Sequence, residues 1–233
     1  MGILQDQVVL ITGAGHQRGR SIAQAFARQG AIVAANDLTP INLDETVQQI
    51  LAAGGQARDY IFDIAKKMPI QALLEQIRDD WGKLDICVHC AQVKPKAALL
   101  DMDDWDWQRT LDVNLSSAFL LLQSAGRIMR QQGFGRIVCV INTPQEDFFQ
   151  GGFSALRASK TGLVGLLLSA AQELGEYGIW TNGIVAGNFG IALRKALPEF
   201  TLPSPTPDLG EAVLYACQAP PEGVHGKFLI MEG

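Results

Sequence analysis

Several things this sequence has little of narrow what it can be. Charge is sparse: 18% of the 233 residues are charged, the formal net charge is −5, and no basic run occurs. A nucleic-acid or anionic-membrane surface is therefore not expected, because both need clustered Lys and Arg. An acidic small molecule stays possible, since one local cation would suffice. The most apolar stretches, Ala118–Leu122 and Leu163–Leu168, fall far short of the roughly 20 residues that span a bilayer. Met1–Asp6 has no charged segment leading into an apolar one, so no secretory signal is expected. Four cysteines are too few for a disulfide framework in a chain this long. Cys87 and Cys90 spell C-x-x-C, the spacing of redox and metal sites, but they lie in the apolar run Asp85–Cys90. Residues three apart on a strand face opposite ways and stand ~10 Å apart at ~3.3 Å per residue, too far for a disulfide. They read as strand cysteines, and the expected setting is a reducing cytoplasm. Tyrosine is rarest of the aromatics that do chemistry, with only Tyr60, Tyr177 and Tyr215.

What is present is a globular composition, 48% hydrophobic, with short β-branched runs alternating with longer amphipathic ones. Val8–Ile11, Ala31–Asn36, Ala57–Phe62, Leu84–His89, Gly135–Ile141, Thr181–Val185 and Lys227–Met231 read as strands. Arg20–Gln29, Asp44–Ala53, Ile70–Asp80, Asp104–Gln131, Phe153–Tyr177 and Asp208–Cys217 read as helices. Strands apolar on both faces belong in a parallel sheet covered on both sides. The expectation is an α/β fold: one doubly wound, Rossmann-type parallel sheet of about seven strands, flanked by helices and spanning residues 1–233 as one domain. Residues 189–207 carry Pro198, Pro203, Pro205 and Pro207 and read as a substrate loop or lid.

The run Thr12-Gly-Ala-Gly-His-Gln-Arg-Gly19 joins the first strand to the first helix. Glycines there let the backbone turn sharply and approach a pyrophosphate, whose charge sits on the helix N-terminus. The spacing of Gly13, Gly15 and Gly19 is one residue longer than the usual fingerprint, so the loop alone is weak evidence. Asp37 strengthens it. It ends the second strand about 20 residues on, where a carboxylate accepts adenosine ribose hydroxyls. A 2′-phosphate beside Asp37 would bring two anions together, and the next residue is Leu38. NAD is the expected cofactor and NADP is disfavoured.

With Asp63-Ile64, Val113-Asn114-Leu115, Ala158-Ser159-Lys160 and the closing Gly226–Gly233, the chain resembles the short-chain dehydrogenase/reductases from about residue 6 onward. The resemblance implies that Asp63 and Ile64 border the adenine. It implies that Asn114 interrupts its helix to hold a water, that Lys160 binds the nicotinamide ribose, and that the helices Asp104–Gln131 and Phe153–Tyr177 build a homodimer or homotetramer. The departures gather at the chemistry. The family's proton-transferring tyrosine, four residues before the lysine, is Leu156, and the alternative position seven before is Phe153. The serine that polarises the substrate carbonyl is Asn142, followed by Thr143. Gln17 replaces the middle glycine of the loop. His89-Cys-Ala-Gln92 stands for Asn-Asn-Ala-Gly, and Ala186-Gly187 for Pro-Gly.

Asn114, Lys160 and Asn142 are thus the candidate catalytic residues, and Gly13, Gly15, Gly19, Asp37, Asp63, Ile64 and Lys160 the candidate cofactor ligands; no metal site is expected. Lys160 has two readings, a ribose ligand or, if burial lowers its pKa, the acid itself. His89 reads as a packed histidine or a substitute acid. The chain as a whole is either an NAD-dependent oxidoreductase of an alcohol or ketone with an unusual proton donor, or a dinucleotide-binding protein without turnover. A non-redox reaction using the cofactor as scaffold is a weaker third. Phe148, Phe149 and Phe153 hint at an apolar substrate pocket, or at ordinary core.

Overall fold

The computed structural model describes residues 2–142, 151–186, 197–202 and 208–231. Seven parallel strands run in the order β3-β2-β1-β4-β5-β6-β7: β1 Val8–Thr12, β2 Ile32–Asp37, β3 Gln56–Ile61, β4 Ile86–His89, β5 Gly135–Asn142, β6 Ile179–Ala186 and β7 Phe228–Met231. The helices are α1 Gln17–Arg28, α2 Pro40–Ala52, α3 Lys67–Trp81, α4 Asp104–Leu111, α5 Ser117–Gln132, α6 Ser154–Leu174, α7 Leu209–Gln218 and the single turn α8 Pro221–Val224.

Alternation along the strands divides the core in two. Leu10, Cys87, Ile137, Cys139 and Ile141 face one way, into a cluster with α3, α5 and α6. Val9, Ile11, Ile86, Val88, Val138 and Val140 face the other, toward α1, α2 and α7. Every residue of β1, β4 and β5 is buried, as strands covered on both faces must be. Edge strand β3 is mostly exposed and polar, and ties itself down by side chains instead: Arg58 pairs with Asp80 at 2.7 Å, and Tyr60 donates to the same carboxylate.

Helices α1 and α3 each start three residues earlier than expected, at Gln17 and Lys67, and three further differences have local reasons. Helix α2 starts at Pro40, four residues early, because proline's fixed φ and missing N–H suit a first helical position. The expected helix Asp104–Gln131 is α4 and α5 separated by a π-helical turn, Asp112–Ser116, around Asn114. Residues 197–202, inside the expected lid, lie against the sheet edge: Glu199 pairs in parallel with Phe228, Phe228 N–H donates to Pro198 O, and Phe200 stacks on Tyr215. The rest of 189–207, with Thr143, Phe148, Phe149 and Gly187, lies outside the described residues. All four cysteines are free, and Cys87 is buried. Among the described residues no helix is long and apolar enough to cross a membrane, and no group of three or more His, Cys, Asp or Glu gathers to hold a metal.

The order reverses between β1 and β4. The chain moves outward from β1 through β2 to β3, then returns to place β4 on β1's other side. Loops leaving the carboxyl ends of β1 and β4 therefore diverge and leave a crevice, where ligands bind in open α/β sheets.

Candidate active site

Two adjoining clefts fill that crevice. The outer one, about 240 Å³, is lined by Asp37, Asp63, Ile64, Arg109 and Val113 with Gly13, Ala91 and Gln92 among others. The inner one, about 300 Å³, is lined by Gly13, Gln17, Arg18, Gly19, Cys90, Gln92, Lys94 and Asn142 among others. The glycine loop is built for close packing. Gly13 has φ +72°, and a Cβ there would meet Ala91 Cα at 2.8 Å; a Cβ on Gly19 would meet Gly13 O at 2.1 Å. Only glycine brings strand, loop and helix this close.

Asp37 is buried at the end of β2. One carboxylate oxygen accepts from Gly15 N–H and from His16 Nδ1, both at 3.0 Å, and the other from Thr39 N–H at 3.1 Å. A carboxylate offers about four acceptor positions, so three are in use. Two ribose hydroxyls find room only if His16, whose side chain is 69% exposed, swings away. Asp63 accepts from Ala65 N–H at 3.1 Å and faces Arg109 at 3.4 Å. Sequence reasoning missed Arg109 and could hardly have found it, because its partner lies 46 residues away.

At the inner end the expected residues come together in part. Leu156 and Lys160 share a face of α6 one turn apart and both are buried, 0% and 1% exposed. Loss of solvation pulls the Lys160 ammonium down to about 8, partly offset by the nearby Cys90 and Cys139 thiols. Asn114, at the π-turn, spends its side chain on the protein: Nδ2 donates to Val93 O and Ser159 Oγ, and Oδ1 accepts from Val93 N–H. It thereby fastens the segment after β4 to α6. Ser159 Oγ in turn donates to Leu156 O at 2.8 Å.

His89 sits in a closed chain of hydrogen bonds. Ser117 Oγ donates to Val113 O at 2.6 Å, so it accepts from His89 Nε2; Nδ1 then accepts from Thr12 Oγ1 at 3.0 Å. Burial first, and the Lys160 charge second, hold its pKa down at about 3. A neutral imidazole with both nitrogens engaged is a structural tie between β1, β4 and α5, as the packed reading had it. Cys90, beside it, is likewise kept protonated by burial, with its pKa up at about 11.

The donor set suits a nicotinamide dinucleotide. Backbone N–H groups at the start of α1, the close-packed Gly13 and Gly19, and Arg18 suit a pyrophosphate. In the inner cleft two side-chain atoms, Gln92 Oε1 and Asn142 Nδ2, are buried with no hydrogen-bond partner among the described residues. Unpaired buried polar atoms are costly unless a ligand completes them.

Comparison with known proteins gives the family and the fold. The short chain dehydrogenase family pattern matches residues 7–201, and the chain belongs to that family. Dehydrogenase subunit BbsD of Thauera aromatica is 34% identical over 91% of this chain and 86% of its own. A metagenomic short-chain oxidoreductase solved in complex with NADP is 25% identical, with a TM-score of 0.84 over 98% of this chain and 97% of its own. An NAD+-bound xylitol dehydrogenase is 25% identical, with a TM-score of 0.74 over 87% and 73%. The seven-stranded parallel sheet is the fold these structures share, and a nicotinamide dinucleotide is the family's cofactor.

Proposed function

We propose that this chain binds NAD(H) in preference to NADP(H) and oxidises or reduces an alcohol or ketone with Lys160, in place of a tyrosine, carrying the proton. One observation carries the reading: the helix position that should hold the phenol holds buried Leu156, while Lys160 one turn on has its pKa brought down to about 8. A general acid or base works best when its pKa lies near the working pH. His89, held neutral between two hydroxyls, does not compete for the role.

The dinucleotide would be held by the start of α1, by Asp37 on the adenosine ribose and by the Asp63-Ile64 border of the outer cleft. When bound, it supplies or accepts the hydride. Lys160 Nζ donates a proton to the substrate oxygen during reduction and takes it back during oxidation. The preference for NAD(H) rests on Asp37, because a 2′-phosphate would face a buried carboxylate. Relatives do not decide it, since one was solved with NADP and another with NAD+.

A second reading, a dinucleotide-binding protein without turnover, is favoured by the same Leu156. One experiment separates the two: NADH oxidation across a panel of ketones, with Lys160→Met beside the native chain. A native rate that falls at least tenfold in the variant, and that follows a group near pH 8, supports catalysis. Binding of NADH with no rate on any ketone supports the second reading.

Self-association belongs to the same proposal. Helices α5 and α6 together expose a groove of about 280 Å³ lined by Phe119, Leu122, Gly126, Leu166, Leu174 and Tyr177. Phe119 and Tyr177 stand nearly half exposed there. Arg127, Arg130 and Glu173 at its rim supply both signs of charge, which a two-fold contact between identical copies can pair.

A further inference from the structure

Asp37 is committed to the protein at the place where the adenosine ribose is expected. Its Oδ2 accepts from Gly15 N–H and from His16 Nδ1, both at 3.0 Å, and its Oδ1 accepts from Thr39 N–H at 3.1 Å. A carboxylate only accepts, so Nδ1 carries the proton in this contact. With about two acceptor positions on each oxygen, Oδ1 keeps one open and Oδ2 keeps none. A ribose diol that places one hydroxyl on each oxygen therefore needs the position that His16 holds. The two backbone N–H groups are fixed by the glycine loop and by the turn into α2. His16 is different: its side chain is 69% exposed, and among the described residues Asp37 is the imidazole's one hydrogen-bond partner. It also stands where three clefts meet, lining the outer one, the inner one and a third of about 470 Å³ beside Ser21, Gln24, Asn42 and Gln49. It has room to leave.

We propose that His16 is a latch on Asp37 that competes with the adenosine ribose, and that protonation of the imidazole closes it, so that the dinucleotide binds more weakly as the pH falls. The inference rests on the cofactor reading above. Histidine is the side chain that changes charge between pH 5 and 8. A neutral imidazole gives Asp37 an ordinary hydrogen bond; an imidazolium gives a charge-assisted one, roughly twice as strong. Either bond competes with the ribose for the same oxygen, and the stronger one leaves the open form rarer. The other charged groups around the imidazole do not reverse this sign. Glu45 of α2 is paired with Arg20 of α1 at 2.8 Å, and Asp63 faces Arg109 in the outer cleft at 3.4 Å. On the inner side stand Arg18 and Lys94, which repel an imidazolium, and Cys90, which burial keeps protonated. Asp37 is thus the acid that the imidazolium meets. The pyrophosphate is the one further anion, and it arrives with the cofactor; an imidazolium that turned to it would tighten binding at low pH instead.

The test is calorimetric titration of the full chain and of His16→Ala at pH 5.5 and pH 7.5. The ligands are NAD+ and ADP-ribose, which keeps the adenosine ribose and lacks the nicotinamide. The native chain should bind both about tenfold more weakly at pH 5.5 than at pH 7.5. His16→Ala should bind both at least fivefold tighter than the native chain at pH 5.5, and should change less than twofold between the two pH values. A matching response from ADP-ribose places the effect at the adenosine end, away from Lys160; a pH effect on NAD+ that ADP-ribose does not share overturns the latch. Native affinity that is flat with pH, or tighter at pH 5.5, overturns it while leaving the cofactor reading intact. So does a His16→Ala chain that binds either ligand more weakly than the native one, which would make His16 a ligand of the cofactor. Binding by the variant where the native chain shows none at pH 5.5 supports the latch. Absence of binding by both chains at both pH values overturns latch and cofactor reading together. His16 is largely exposed, so its replacement leaves the core packing untouched.

Discussion

The outer and inner halves of the crevice keep the family pattern to very different degrees. Outside, Gly13, Asp37, Asp63 and Ile64 line one cleft, Gly15 N–H donates to Asp37, and Gly19 packs on Gly13. On α6 and at the ends of β5 and β4, leucine stands for tyrosine, asparagine for serine and glutamine for glycine, and all three are buried or partly so. The two kinds of residue do different work. A binding loop acts through backbone geometry, which a few glycines secure. Proton transfer needs one titratable side chain at one place, and its loss removes typically 10²–10⁴-fold of rate. A chain can therefore retain the first and forgo the second without disturbing the fold.

The comparison breaks most severely at the loop. Gly19→Val should drive a side chain into Gly13 O and lower NAD+ affinity by about 100-fold or more. Calorimetry that finds unchanged affinity would show that the glycine loop is not the anchor.

Lys160 tests the inner half through stability. Its pKa is lowered in the fold from 10.5 to about 8, so the unfolded chain binds more protons between those values. Stability then rises with pH across that window, and the penalty is fully present below it. Lys160→Met should be the more stable protein at pH 7, by up to about 3 kcal/mol at 1.36 kcal/mol per unit. The gap should close as the pH rises from 8 toward 10.5. Denaturant melts of both chains at pH 7 and pH 10 measure it, and a constant gap would mean that Lys160 is not held in a desolvated site.

Leu156→Tyr is the sharper functional comparison, because it restores the missing group next to a charge that lowers a phenol's pKa. With NADH and a ketone panel it should gain at least tenfold over the native chain, alone or with Asn142→Ser. Leu156 is fully buried, so a thermal melt must accompany the assay, and overpacking of about 1–3 kcal/mol is the expected cost. If Leu156→Ala leaves a brisk native rate intact, the side chain at 156 has no part in the proton transfer, as the Lys160 reading requires.

Two smaller effects bear on the outer half and the helical face. NAD(H) should be preferred over NADP(H) by about tenfold, or ~1.4 kcal/mol, and Asp37→Ala should reduce that ratio toward one. Leu166→Asp on the α5–α6 groove should convert a dimer or tetramer to monomer in light scattering at micromolar concentration. A native chain that is already monomeric would refute the association.

Much of the fold was legible because its causes are short-range. Apolar runs and amphipathic periods depend on neighbours a few residues away, and all seven strands lie where those patterns put them. The glycine loop and Asp37 were legible for the same reason: a strand–turn–helix and the end of the next strand are consecutive pieces of chain. Asn114's interruption came through resemblance to a family; nothing in its local sequence specifies a π-turn.

By itself, then, the sequence determined the parallel sheet, the crevice and the absence of a phenol one turn before Lys160. Tertiary structure alone decided the electrostatics and the pairings. Lys160 has a lowered pKa because burial takes it away from water, and His89 is neutral because of burial and the Lys160 charge, while Thr12 and Ser117, 77 and 28 residues away, engage its two nitrogens. Arg109 meets Asp63, Asn114 meets Val93 and Ser159, and Gln92 shares a cleft with Asn142 only when the strands are assembled. Desolvation and hydrogen-bond complementarity depend on what surrounds a side chain in space, and residue order along a chain does not encode that locally.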